Sequence, residues 1–217
     1  MQIVWHGNTF FEVLTSNDEN QKVKIVIDPP FFDKKENKKL KKVLNCDILL
    51  FTQEFGNENN INFSQKDCFL ISGPGEYEVK GIFFQGILSF CDGNEKKTKL
   101  NTIYTIESEN LKVCHLGKLG QEELNEEQLE KIGQIDILMV PIGGDFTIST
   151  KKPTKIISQI EPKIVIPMAY QVLQKKSKQL EEFLKNLGVK DISPKEKLNI
   201  KKKDLAENKT EVVLLKP

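Results

Sequence analysis

The stretch that decides the fold runs Asp47-Ile-Leu-Leu-Phe-Thr-Gln-Glu-Phe-Gly-Asn-Glu-Asn-Asn60. Its first part, residues 47–51, is a short apolar run that predicts a buried strand. A polar loop opens at Thr52. After Thr52 the loop reads Gln53, Glu54, Phe55, Gly56, Asn57 and Glu58, with no histidine.

Upstream and downstream of this stretch the pattern predicts mainly strands. Apolar or alternating runs predict strands at 2–5, 9–14, 22–28, 76–80, 82–90, 101–106 and 111–116, with Gly-containing turns between several of them. The first half of the chain is therefore expected to be almost all β.

Helices enter only in the second half. Asn125 and Gln128 have the spacing of a capping box, and Gly133 is placed to end that helix. Further helices are predicted over 153–160 and 180–187, alternating with strands at 136–141, 163–167 and 211–216. Strands first and alternation afterwards predict an α+β fold, a four-layer α/β/β/α sandwich, in one domain spanning residues 1–217.

The composition excludes several classes of function. The 217 residues are 38% hydrophobic and 29% charged with a net charge of +1, which is typical of a globular protein and gives no electrostatic case for a membrane surface or nucleic acid. Every basic residue apart from the two histidines is lysine, and arginine, the preferred residue for bidentate phosphate recognition, is absent. The lysine-rich run 33–42 is interrupted by acidic residues and is expected to be a solvated face.

The cysteines and the N-terminal residues favour a cytoplasmic protein. None of the four cysteines forms a C-x-x-C pair, and a disulfide framework is not expected in a chain with this much potential core. The first residues lack the basic start and apolar run of a signal peptide. Partners are left unknown, with a homo-oligomer open and no nucleic acid or membrane indicated.

Several landmarks occur in the order used by one large family: Trp5 and Gly7, Asp28-Pro29, the Thr52 loop, 74–78, His115-Leu-Gly117, Pro141-Ile-Gly-Gly144 and Ile166-Pro-Met-Ala-Tyr170. Together they span nearly the whole chain. This order resembles the metallo-β-lactamase-fold superfamily, in its single-domain branch of Zn-dependent hydrolases, similar to the subgroup of the ascorbate-phosphate lactonase.

The resemblance also implies where a metal centre would lie. The family carries Thr-His-x-His-x-Asp-His in the loop after the deciding strand, and further ligands after three later strands. The corresponding positions here have all changed, and they are Gln53, Phe55, Asn57, Glu58, Cys91, Lys118 and Ala169. Amide, methyl and ammonium groups do not replace imidazole or carboxylate as ligands of first-row metals. The resemblance therefore implies a degenerate site with no metal and no other cofactor.

Three functions stay open on this basis. The first is a catalytically inactive hydrolase homologue, a pseudoenzyme with a binding or structural role. The second is a metal-dependent or metal-independent hydrolase of an ester, lactone or phosphodiester, with Glu54, Glu58, Asp92 and Lys118 as candidate acids or bases. The third is a subunit that regulates an active homologue.

Finer expectations concern individual residues of the site. Phe55 is expected to fill ligand space opposite Ala169, and Lys118 to pair with Glu58 or Glu54. A residual metal site from Cys91, Glu58 and His115 is a weaker alternative. Asp28, at the end of a strand, could either orient the Thr52 loop or simply cap a turn.

Overall fold

The computed structural model describes residues 1–30, 45–53, 68–91, 99–143, 152–170, 177–207 and 209–217. The strands are β1 Gln2–Trp5, β2 Phe11–Ser16, β3 Lys22–Ile27, β4 Ile48–Phe51, β5 Phe69–Ser72, β6 Gly75–Val79, β7 Ile82–Phe90, β8 Leu100–Ser108, β9 Leu111–His115, β10 Ile137–Pro141, β11 Ile164–Met168, β12 Leu198–Asn199 and β13 Glu211–Val212. The helices are α1 Glu126–Ile132, α2 Lys152–Ile160 and α3 Lys178–Asn186, with a 3-10 turn at Lys202–Asp204.

The strands form two mixed sheets. The first has the order β12-β1-β2-β3-β4-β5, in which β3, β4 and β5 run parallel. The second has the order β13-β11-β10-β9-β8-β7-β6, in which β9, β10, β11 and β13 run parallel and the remainder are antiparallel. Each sheet therefore has a parallel part whose strands end on the same edge.

Successive side chains of a strand point to opposite faces of its sheet, so one apolar strand contributes to the core on both faces. In β4, Ile48 and Leu50 face a central core shared by the two sheets, whereas Leu49 and Phe51 face a smaller apolar cluster on the other side of the first sheet. In β10, Ile137 and Met139 join the same central core. Leu138 and Val140 turn instead to the helices that cover the second sheet.

The fold class predicted from the sequence is confirmed as a sandwich in which two mixed sheets face each other and helices pack outside. Phe183 of α3 is fully buried among the outer apolar residues of the second sheet. Because the central core draws side chains from both sheets, we propose that residues 1–217 fold as one domain.

Local predictions were confirmed with small shifts. The side chain of Asn125 accepts from the Gln128 amide and Gln128 reaches back, so α1 begins with the predicted capping box. The last predicted strand, 211–216, was too long, because β13 ends at Val212 and pairing resumes only as a bridge between Lys195 and Leu215. Among the helices of the described ranges, none has the length and apolarity to cross a bilayer.

Candidate functional site

The candidate site lies where parallel strands of both sheets end. β3 leads into Asp28, β4 into Thr52 and Gln53, β9 into the turn at Lys118, and β11 into Ala169. The carboxyl edge of parallel strands is where binding sites are commonly built, because loops from several strands converge there. A backbone hydrogen bond of 2.6 Å from the Thr102 amide to the Thr52 carbonyl joins the two sheets at this edge.

Asp28 fixes the start of the loop after β4. One carboxylate oxygen accepts from the Thr52 amide at 2.7 Å, and the other accepts from the Thr52 hydroxyl at 2.6 Å. Asp28 itself adopts a left-handed backbone conformation, with φ of 47°. Of the two interpretations left open by the sequence, orientation of the loop is the one that this geometry bears out.

Asn101, which the sequence analysis did not single out, supports the turn after β9. Its side-chain amide donates to the Ser89 hydroxyl at 2.7 Å and to the Leu116 carbonyl at 3.0 Å, and its oxygen accepts from the Lys118 amide at 2.8 Å. The side chain is buried. An asparagine at the head of a strongly apolar strand was the available signal, because a buried amide must find partners for each of its polar atoms.

Gly117 is required at the centre of this turn. Its φ is +61°, and an added Cβ would lie 2.4 Å from the Asn101 side-chain oxygen and 2.7 Å from Thr52 Cβ. The turn after β9 therefore packs against the start of the loop after β4 with no room for a side chain.

His115 is a fully buried, neutral histidine. Its Nδ1 accepts from the Gly117 amide at 3.1 Å, which places the ring proton on Nε2, 3.0 Å from the Thr9 carbonyl. Burial lowers the pKa of His115, and the carboxylate of Asp28 opposes that shift. Because both ring nitrogens bond to the backbone, the alternative of a residual metal site that includes His115 is not supported.

Three of the seven positions implied by the resemblance lie outside the described residues: Phe55, Asn57 and Glu58. The expectation that Phe55 fills ligand space is thus untested, as is the pairing of Lys118 with Glu54 or Glu58. The other four positions, Gln53, Cys91, Lys118 and Ala169, come from four separate strand ends.

Three of those four side chains are linked to one another. The Lys118 ammonium donates to the Gln53 side-chain oxygen at 2.8 Å, and the Gln53 amide nitrogen lies 2.8 Å from Cys91 Sγ. Cys91 is fully buried. The lysine therefore turns toward the loop after β4, as expected, but its described partner is an amide rather than a carboxylate.

Ala169 contributes backbone geometry rather than a functional group. It has a φ of 56°, a conformation that costs a non-glycine residue about 1–2 kcal/mol. Its amide donates to the Asn8 carbonyl at 3.0 Å, which also accepts from the Trp5 ring nitrogen at 2.9 Å. Strained backbone of this kind is frequent at functional sites, and here it carries only a methyl group.

The four described positions do not by themselves fit a divalent metal. The amide oxygen of Gln53 is a weak metal ligand, and it already accepts a hydrogen bond from Lys118. The positive charge of the Lys118 ammonium also repels a cation. Within the described ranges, no three His, Cys, Asp or Glu side chains cluster closely enough to hold an ion. The four described positions supply one thiol, that of Cys91, as their only ligand of the usual kind.

A cavity of about 230 Å³ opens beside these residues. It is lined by Gln53 and Lys118, by Asp28 with its following prolines, and by the segment from His6 to Phe10. The His6 ring packs against Phe10 with 4.6 Å between ring centres. The cavity is large enough for a small molecule, although it is below the usual size of pockets for drug-sized ligands.

Known proteins from two archaea are similar to this chain in sequence. A "metal-dependent hydrolase" of the UPF0173 family from Thermococcus onnurineus is 28% identical over 145 residues, which cover 66% of this chain and 56% of that protein. A second one, from Pyrococcus horikoshii, is 26% identical over 162 residues, covering 73% and 64%. The chain thus matches less than two thirds of the length of either relative.

A solved structure agrees over almost the full length of both chains. A Thermotoga maritima protein, named as a candidate Zn-dependent hydrolase of the metallo-β-lactamase superfamily, superposes with a TM-score of 0.74 at 28% identity, covering 99% of each chain. The family model of the beta-lactamase superfamily domain matches residues 2–169, a span that contains both the deciding strand β4 and all the strand ends of the candidate site. On this match the chain belongs to the beta-lactamase superfamily.

Proposed function

We propose that this protein is a catalytically inactive member of the metallo-β-lactamase fold that has kept its site for binding rather than hydrolysis. The observation that carries the proposal is the pair of contacts from Gln53 to Lys118 and to Cys91. Side chains at positions where the family pattern has metal ligands here bond to one another. In this proposal the ammonium of Lys118 supplies the positive charge that metal ions supply in the family pattern.

The cavity beside this network is the proposed binding site. Its 230 Å³ would admit a small polar molecule, and the Lys118 ammonium on its wall favours a carboxylate or phosphate group. Asp28, the acidic side chain among the described lining residues, uses both of its oxygens to hold Thr52. A small anion is therefore the chemical class that we assign to this site.

Metal content and hydrolytic activity test the proposal directly. Protein purified without chelator should contain far less than one zinc or manganese per chain by elemental analysis, and its Tm should not change in EDTA. A metal bound only by the native state would raise stability, so removing it would lower Tm. Stoichiometric metal that resists a chelator would overturn the proposal.

Ligand binding can be tested with simple probes. Inorganic phosphate and acetate should raise Tm relative to chloride at equal ionic strength, and the Lys118→Met variant should lose that increase. An equal response of the two proteins would show that the anion binds elsewhere.

A second candidate is a hydrolase acting on an ester, lactone or phosphodiester, and the names of the UPF0173 relatives favour it. Chelator-sensitive turnover of a chromogenic lactone or phosphodiester would establish a metal enzyme. Turnover that survives chelation and is lost in Lys118→Met would instead establish a metal-independent one.

A further inference from the structure

Cys46 and Cys68 form a close thiol pair at the opposite end of β4 from the candidate site. Their sulfurs are 2.9 Å apart, and both residues are free cysteines. Cys46 lies two residues before β4, and Cys68 directly precedes β5, the neighbouring parallel strand. A disulfide bond is about 2.0 Å long, so less than about 1 Å of sulfur movement separates the pair from a bond.

The backbone around the pair is held in place by Asp47. Its carboxylate accepts from the Lys24 amide at 2.8 Å and from the Lys80 ammonium. Its carbonyl accepts from the Phe69 amide at 2.8 Å. Since the two strands are already bonded beside the sulfurs, closing a disulfide needs side-chain rotation rather than rearrangement of the sheet.

The two thiols are not equivalent. Cys68 is half-buried, whereas Cys46 is only 7% exposed and lies in an apolar cluster with Leu49 and Phe51. The hydrogen bond from the Cys46 thiol lowers the pKa of Cys68, and the Lys80 ammonium acts in the same direction against burial and the Asp47 carboxylate. The same hydrogen bond, together with the burial of the Cys46 thiol, raises the pKa of Cys46. Cys68 is thus the more accessible and more readily ionised sulfur.

We propose that Cys46 and Cys68 form a reversible redox site, in which a hydroperoxide oxidises Cys68 and Cys46 then completes an intramolecular disulfide. Cys68 thiolate attacks the terminal peroxide oxygen, the O–O bond breaks, and the leaving oxygen takes a proton as water or alcohol. Cys46 sulfur attacks the resulting sulfenic acid, the S–O bond breaks, and the hydroxide leaves with the Cys46 proton as water. With hydrogen peroxide, two thiols lose two electrons and two protons, and two waters form.

The other cysteines are unsuited to this chemistry or lie elsewhere. Cys114 is fully buried, and burial raises the pKa of its thiol. Cys91 is fully buried beside Gln53 in the candidate site. The proposed disulfide would close residues 46–68 into one covalent loop that includes Gln53, so the redox state would constrain a segment of the candidate site without using it.

Peptide mapping of the full chain after treatment with hydrogen peroxide tests the proposal. Cleavage after lysine separates the two cysteines, because Cys46 falls in residues 43–66 and Cys68 in 67–80. Oxidised protein should yield these two peptides cross-linked, two hydrogen masses below their sum, and dithiothreitol should release them. Only sulfinic acid at Cys68, only cross-links between chains, or no oxidation at this pair would overturn the proposal.

Variants assign the order of the two steps. In Cys46→Ser, peroxide should leave a sulfenic acid at Cys68 that dimedone labels, whereas in Cys68→Ser dimedone should not label Cys46. Cys114→Ser is the matched control and should form the cross-link like the natural chain. Labelling of Cys46 in Cys68→Ser would reverse the assigned roles, and loss of the cross-link in Cys114→Ser would contradict the site. The mapping of the unmutated chain stands even if a variant fails to fold.

Discussion

The residues that support the candidate site and the residues that face into it make different kinds of contact. The supports, Asp28, Asn101 and His115, each satisfy two or more hydrogen bonds to loop backbone or to Thr52. The facing positions Gln53 and Lys118 carry none of the metal ligands that the family resemblance implies, and bond instead to one another.

The difference teaches that the scaffold of a site and its chemistry are under separate physical constraints. Asn101 and His115 are buried and Asp28 is partly buried, so each lost partner would leave a polar group without its hydrogen bond, whatever the protein does. The facing residues border a cavity, where an exchange of side chains costs little folding energy. The loop geometry of a site can therefore be held independently of the side chains that face its cavity.

The largest expected effect comes from Gly117, in the turn that Asn101 and His115 hold in place. Gly117→Ala should lower the free energy of unfolding by roughly 3 kcal/mol, because the new Cβ meets Asn101 and Thr52 and the residue needs a positive φ. Gly188→Ala is the matched control: its φ is also positive, at 67°, but no atom lies within 4 Å of an added Cβ. It should cost only about 1 kcal/mol. Equal losses in urea unfolding would show that the turn after β9 can move away from β4.

Asp28→Asn should have the next largest effect. The amide keeps one acceptor for Thr52 but loses a charge-assisted bond, so the loss should be about 1–2 kcal/mol. Asp191→Asn is the control, because Asp191 is an exposed aspartate that also has a positive φ, of 51°. If the two variants unfold at the same urea concentration, the anchoring of the Thr52 loop contributes no stability.

Features that depend on local sequence could be predicted, whereas contacts between distant parts of the chain could not. The capping box at Asn125, the buried strand β4 and the sandwich follow from local periodicity and apolar runs, and the structure has them. The network between Lys118 and Gln53 could not be predicted, because the family pattern locates positions but does not say which new side chains will meet. Asn101 was missed because its role depends on a bond to the Lys118 amide, 17 residues away in the chain.

The support at His115 predicts a pH dependence. Because its pKa is lowered in the folded state, the unfolded chain binds the extra proton more readily. The contribution of neutral His115 to stability is thus complete above the unfolded pKa, about 6.5, and is lost as the pH falls below it. Stability should therefore fall with pH below about 6.5, with ~1.4 kcal/mol per pH unit as the upper limit for one proton.

His115→Gln is the variant that isolates this effect, because glutamine cannot titrate. It should be less stable than the natural chain at pH 8 but should lose less stability between pH 6.5 and 5. Urea midpoints across this range measure both. If the urea midpoints of the two proteins changed in parallel with pH, protonation of His115 would cost no folding free energy. That result would contradict the burial of His115 and the hydrogen bond that it accepts from the Gly117 amide.

The smallest expected effect lies on the facing side, in the pair of Lys118 and Gln53. A double-mutant cycle of Lys118→Met and Gln53→Leu should give a coupling energy of about 0.5 kcal/mol, because a hydrogen bond beside a cavity competes with water. Lys118→Met alone should change stability by less than about 1 kcal/mol. A coupling above about 2 kcal/mol would show that this pair stabilises the fold as the supports do. The distinction between supporting and facing residues would then be lost. A coupling of zero would leave the contrast intact but would mean that the lysine does not hold Gln53 in solution, which would withdraw the main observation behind the proposed anion site.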